Sequence, residues 1–202
     1  MCYFKHYNRS QLLFYTCYTY MEKILITGTG RSGTTFLIKL FSFLDFDTGY
    51  NRDNYNRYIF KNCNSGMEQG YTAKQYIIKN PEFFIHINTI VNDSRIKIKN
   101  VIIPIRDLSI SAKSRVKHSN KAGGLWNASD ELSQIQFYKD ALAEYISVST
   151  KYDINTTFLD FDKMINDKVY LFNKLKPILD EKNIDLETFS SVYDEVSLTS
   201  KP

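Results

Sequence analysis

At 202 residues the chain has the length of one domain, and 43% hydrophobic with 24% charged residues exclude a disordered chain and a fold that depends on disulfides. A formal charge of +4, from 26 basic against 22 acidic residues, is too mild for a duplex nucleic acid partner and suits a small anionic ligand. Cys2, Cys17 and Cys63 show no CxxC spacing and no companion histidines, which points away from zinc or a redox pair and toward reduced thiols in a cytoplasm.

Residues 1–20 read as an N-terminal extension of uncertain role ahead of a single domain over 21–202. Lys5 and Arg9 precede an aromatic run from Leu12 to Tyr20 that is too short to span a bilayer and lacks a small-residue cleavage site, so no membrane partner is expected. Either the extension packs on the domain or Met21 is the natural start.

Lys23-Ile24-Leu25-Ile26-Thr27 is a short apolar run ending in glycines, the signature of a buried strand. Thr34 to Leu44 then carries Phe36, Leu37, Leu40, Phe41 and Leu44 at helical spacing, so strand, glycine loop and helix open a βαβ unit. Residues 45–70 are rich in Asp, Asn, Gly and Arg and read as a long irregular excursion. Tyr76 to Lys79 is a second strand stopped by Asn80-Pro81, with Pro81 opening a helix to about Val91.

Val101 to Ile105 is a third strand, ending at Arg106-Asp107. Pro104 argues against a fully bonded central position or marks a local irregularity. A helix from Leu108 to His118, a loop over Asn120 to Ser129 and a long helix capped by Asp130 and ending near Lys151 come next. Thr156 to Asp160 is a fourth strand, followed by Phe161 to Ile165, a helix around Tyr170 to Leu179 and a weakly patterned tail beyond Asp185. Strands alternating with helices predict an α/β, three-layer P-loop-type fold whose mainly parallel sheet is flanked by helices.

Gly28 and Gly33 keep the outer spacing of the phosphate-binding pattern GxxxxGK[ST], but Thr34 stands where the lysine belongs. Small residues still let backbone N–H groups turn toward an anion at a helix N-terminus. Arg31 supplies side-chain charge from inside the loop, while the group that reaches the terminal phosphates of ATP is missing.

The stretch Gly30-Arg31-Ser32-Gly33-Thr34-Thr35-Phe36-Leu37 resembles the 5′-phosphosulfate loop of sulfotransferases, which use 3′-phosphoadenosine 5′-phosphosulfate (PAPS). Three further matches carry the resemblance over about residues 22–180. Arg106 at a strand end, with Ser114 eight positions later, is similar to the pair that holds the donor's 3′-phosphate. Tyr76-Ile77-Ile78-Lys79-Asn80-Pro81 resembles the strand whose lysine meets the transferring sulfonate. Thr157 through Leu175 resembles a late strand and helix of structural role. The glycine-rich C-terminal motif that covers the nucleotide in cytosolic sulfotransferases is absent, so the bacterial, phage and carbohydrate-type branches are the nearer match.

The resemblance implies sulfonate transfer from PAPS to a hydroxyl or amine of a small-molecule or saccharide acceptor, without a metal. It puts Gly28, Gly30, Arg31, Ser32, Gly33, Thr34 and Thr35 on the 5′ side of the donor and Arg106 and Ser114 on the 3′-phosphate. Lys79 would stabilise charge on the bridging oxygen, with Arg31 beside it, and Glu68 would be the general base, with Asp53 as second choice. Arg31, Lys79 and Arg106 should then converge at one sheet edge. His86 and His118 read as structural or exposed, and Trp126 as an adenine platform, a cleft wall or a packing residue. A P-loop kinase of a small metabolite, with Asp160 on magnesium, and a non-catalytic nucleotide-binding protein of the same fold are the alternatives.

Overall fold

The computed structural model describes residues 20–60, 65–117 and 124–200. Cys2, Cys17, Cys63, His118 and nearly all of the N-terminal extension lie outside them.

Four parallel strands, β1 (Met21–Ile26), β4 (Ile77–Lys79), β5 (Ile96–Ile105) and β6 (Thr156–Asp160), form one sheet in the order β4-β1-β5-β6. The two-residue strands β2 (Ile59–Phe60) and β3 (Ser65–Gly66) pair antiparallel beside it. The helices are α1 (Thr34–Phe43), α2 (Ile87–Val91), α3 (Leu108–Lys117), α4 (Glu131–Lys151), α5 (Phe161–Asn166), α6 (Lys168–Leu179) and α7 (Leu186–Ser200).

The period of two along the strands produces two cores. Ile24, Ile26, Ile77, Ile102 and Leu159 face one side, against buried residues of α1, α5, α6 and α7. Leu25, Ile78, Val101 and Ile103 face the other, against α2 and α4. These layers are the expected α/β arrangement: a parallel four-stranded sheet with helices on both faces.

Several elements depart from the sequence reading. β5 starts at Ile96 and not at Val101, because Met21 to Lys23 of β1 pair with Ile96 to Ile98. β6 pairs with β5 only from Val101, which leaves Lys97 and Lys99 exposed on a strand that is bare on that side. β5 is also central despite Pro104. Val101 donates to Asn155 on the β6 side, and Thr27 donates to Ile102 O on the β1 side. Strict alternation puts the Pro104 nitrogen on the β1 side, past the last register pair of Ile26 with Ile102, so the missing N–H falls where the β1 ladder ends.

Pro81 does not open a helix. Asn80 Oδ1 accepts from Glu82 N at 3.0 Å, and Phe84 N donates to Thr27 Oγ1 at 2.9 Å, so turns occupy 81–86 and α2 begins only at Ile87. The tail beyond Asp185, read as weakly patterned, is the fifteen-residue α7. Its Phe189, Val192, Tyr193 and Val196 are buried at helical spacing, and Tyr193 meets Phe36 of α1 edge-on with ring centroids 5.5 Å apart. Asp130 caps α4 as expected, accepting from Ser133 N in a capping box.

Candidate functional site

From β1 the chain moves outward to β4, then crosses back over β1 to β5. The β1/β5 boundary is therefore the point where the strand order reverses, and in parallel sheets ligands bind outside the carboxyl ends of the strands at such a point. Residues 28–33 lie there, leading from β1 into α1.

The loop is built from left-handed backbone. Gly30 and Gly33 have φ of 71° and 86°, and Arg31 between them also sits at 57°. Gly33 is the N-cap of α1, offers no side-chain cap, and is followed by no acidic residue in the first turn. The positive end of the α1 dipole and its first N–H groups are thus left without side-chain capping, an arrangement suited to an anion. Ser32 Oγ and Thr29 Oγ1 are buried with no hydrogen-bond partner among the described residues.

Arg31, Arg106 and Ser114 form one cluster. Arg31 Nε donates to Ser114 Oγ at 3.0 Å, and Arg106 Nη1 donates to the carbonyl of Arg31 at 3.1 Å. The Arg106 guanidinium also stacks 4.5 Å above the Phe161 ring. Ser114 accepts with a lone pair, so its own O–H proton is not used by Arg31.

Lys79, at the end of β4, is 1% exposed. Its ammonium donates to Glu68 Oε1 at 2.5 Å, to Gly66 O at 2.9 Å and to Thr35 Oγ1 at 3.3 Å, which ties the β3 segment to the first turn of α1. Glu68 follows Met67, a buried residue held at φ 64°. The Tyr50 hydroxyl lies near the Glu68 carboxylate; burial, with that carboxylate and Tyr58 adding to it, pushes Tyr50 up to about 12.

Lys79 and Glu68 meet in one ion pair, Lys79 reaches Thr35 of the loop's helix, and Arg31, Arg106 and Ser114 meet on the other side of that loop. Asp53 lies exposed in the turn that starts at Asn51, its N–H donating to Asn51 Oδ1. His86 is exposed at the start of α2. Asp160 Oδ1 accepts from Lys163 N at 2.8 Å as the cap of α5. No group of three or more His, Cys, Asp and Glu side chains suited to a metal occurs among the described residues.

The sequence reading missed Arg115. It is 2% exposed and donates from Nη1 to Gly124 O at 2.7 Å and from Nη2 to Thr29 O at 3.5 Å. Trp126 packs against it, between Phe84 and Tyr138. A weak signal was available, since Ser111, Ser114 and Arg115 fall on one face of a helix at i, i+3 and i+4.

Fold and site together define a parallel α/β protein with a glycine loop at the switch point, an open helix N-terminus and basic side chains gathered from the ends of the two strands that flank β1 and from α3. Among solved structures, the chain is similar to retinol dehydratase in complex with androsterone and inactive cofactor PAP, at 14% identity and a TM-score of 0.43. The likeness covers 87% of this chain and 64% of that one. No family model matches the chain, and no curated protein does. Among the described residues no helix is long and apolar enough to cross a membrane.

Proposed function

We propose that the chain is a P-loop-type sulfotransferase that takes a sulfonate group from PAPS and delivers it to a hydroxyl or amine of a small-molecule or saccharide acceptor in the cytoplasm. One observation carries the reading: the left-handed loop 28–33 opens the uncapped α1 at the β1/β5 switch point, with Lys79 and Arg106 beside it from the flanking strands.

The residues present fit an anionic nucleotide. An uncapped helix start and uncommitted Ser32 and Thr29 hydroxyls offer donors to acceptor oxygens, and the Arg31 and Arg106 guanidiniums add positive charge beside them. When bound, the donor supplies an activated sulfonate that needs no redox partner. Arg31, the loop amides, Thr34 and Thr35 hold its 5′ side, and Arg106 with the free O–H of Ser114 holds the 3′-phosphate. No metal is called for, because these cations neutralise the charge.

Lys79 opposes charge developing between donor and acceptor, exchanging its 3.3 Å bond to Thr35 for the reacting group. Glu68 takes the acceptor's proton in this reading. The short bond from Lys79 keeps that carboxylate beside the loop.

Ligand-dependent unfolding tests the reading. Adenosine 3′,5′-bisphosphate without metal, at 100 times its dissociation constant, should add about 2.7 kcal/mol of stability. Stabilisation by ATP with magnesium alone would turn the reading to the kinase, and stabilisation by neither would leave a protein without nucleotide function.

A further inference from the structure

Helix α3 brings a further cation under the loop, one that the roles above do not use. The Arg115 guanidinium carbon lies 3.5 Å from the centroid of the Trp126 ring. Trp126 is itself fixed, its backbone N–H donating to Gln134 Oε1 at 2.6 Å and its ring packed 6.5 Å from Phe84 and 6.3 Å from Tyr138. A Cβ built on Gly30 would stand 2.1 Å from Arg115 Nη2 and 3.0 Å from its Cζ. The loop turns directly on the guanidinium, with room for it only because residue 30 has no side chain.

That contact sets the direction of a peptide. The carbonyl of Thr29 and the N–H of Gly30 belong to one trans peptide unit and point opposite ways. Drawing the carbonyl onto Arg115 turns the Gly30 N–H away from α3. Arg106, donating to the carbonyl of Arg31, turns the Ser32 N–H in the same manner. Loop N–H groups oriented in this way, here those of Gly30 and Ser32, can serve an anion without first being turned by it.

We propose that Arg115, stacked on Trp126, is the positioning residue that presets the Thr29–Gly30 peptide for an anion, so that filling of the loop is felt at Trp126. The proposal rests on the nucleotide reading above. It adds a specific role for α3 and an optical signal, because Trp126 is the single tryptophan of the 202 residues.

The test is titration of the full chain with inorganic pyrophosphate and with adenosine 3′,5′-bisphosphate, followed in parallel by calorimetry and Trp126 emission, in wild type, Arg115→Met and Arg115→Lys. In wild type both anions should change the emission. Arg115→Met should weaken both by about tenfold, the loss of one charge-assisted contact to the loop, and uncouple emission from binding. Arg115→Lys should recover part of the affinity through its charge and none of the emission response, lacking the planar stack. A purely structural arginine would lower the unfolding midpoint and leave the anion affinity of the folded protein unchanged in both variants. Should Arg115→Met fail to fold, Trp126→Leu, which removes only the stacking surface, should still weaken pyrophosphate severalfold by calorimetry. Wild-type affinity in a folded Arg115→Met or in Trp126→Leu, or unchanged emission at calorimetric saturation, would overturn the proposal alone. Wild type binding neither anion would overturn the nucleotide reading and this inference with it.

Discussion

Lys79 commits its ammonium to Glu68, Gly66 and Thr35 while almost fully buried, so it holds the β3 segment and α1 together as well as facing the loop. Glu68, at 37% side-chain exposure, can rehydrate when its partner is lost. Lys79→Ala should therefore give a folded protein whose turnover falls far more than its affinity for adenosine 3′,5′-bisphosphate. Paired measurements of kcat and calorimetric Kd decide this; equal losses would make Lys79 a binding group. Arg106 differs, because its guanidinium is anchored by the Arg31 carbonyl and the Phe161 ring, and in the proposed function its remaining N–H groups are the ones that would meet the 3′-phosphate. Arg106→Ala should weaken the bisphosphate by roughly a hundredfold, about 2.7 kcal/mol, and barely change adenosine 5′-monophosphate. Ser114→Ala should act on both nucleotides, since Ser114 also holds Arg31, which the proposed function assigns to the 5′ side. Equal weakening of the two ligands by Arg106→Ala would remove the 3′-phosphate assignment.

At the scale of elements, α1 is held between the sheet and α7, and the seam contains a buried cation. Lys39 Nζ donates to Thr199 Oγ1 at 2.6 Å and lies 4.3 Å from the centroid of the Tyr55 ring. Burial lowers Lys39 to about 8 from 10.5, against the opposing pull of Glu195, which itself pairs with Arg52. Above pH 8 the folded chain has released a proton that the unfolded chain still holds, so stability should rise from pH 8 toward pH 10. Lys23, also lowered by burial, contributes in the same direction. Tyr50 and Tyr145, raised to about 12, oppose folding only above pH 10. Denaturant titrations at pH 7.5, 8.5 and 9.5 should show a rise in wild type that is visibly smaller in Lys39→Met. Identical slopes would mean that Lys39 keeps its ordinary affinity for protons.

The whole molecule has two apolar cores on opposite faces of one sheet, and single strands supply both, as Ile24 and Ile26 on one face alternate with Leu25 on the other. Such a sheet couples the cores into one unfolding unit. Phe189→Ala, which empties a site 0% exposed beneath Phe172 and Tyr193, should cost about 3–5 kcal/mol. Trp126 packs with the core on the opposite face, yet its emission midpoint should move as far as the far-ultraviolet dichroism midpoint. A shift in dichroism with Trp126 unmoved would show the faces unfolding separately.

The local signals in the chain were sufficient for the strand ending at Ile26, the glycine loop, the helix from Thr34, the Asp130 cap and the parallel α/β class, because each depends on periodicity or turn chemistry within a few residues. Lys79, Glu68, Arg106 and Ser114, and the role of Arg31 beside them, came from the resemblance to sulfotransferase motifs and not from periodicity or turn chemistry. Only the tertiary structure decided the length of β5, since β1 supplies the partner for Ile96 to Ile98, and the existence of α7, since its apolar stripe acquires meaning from Phe36 and the sheet beneath α1. It alone paired Glu68 with Lys79 across eleven residues, turned Ser114 onto Arg31 and carried Arg115 under Gly30. Those contacts join segments that are far apart in the chain, and their geometry is set by where the strand order reverses, which no local pattern encodes.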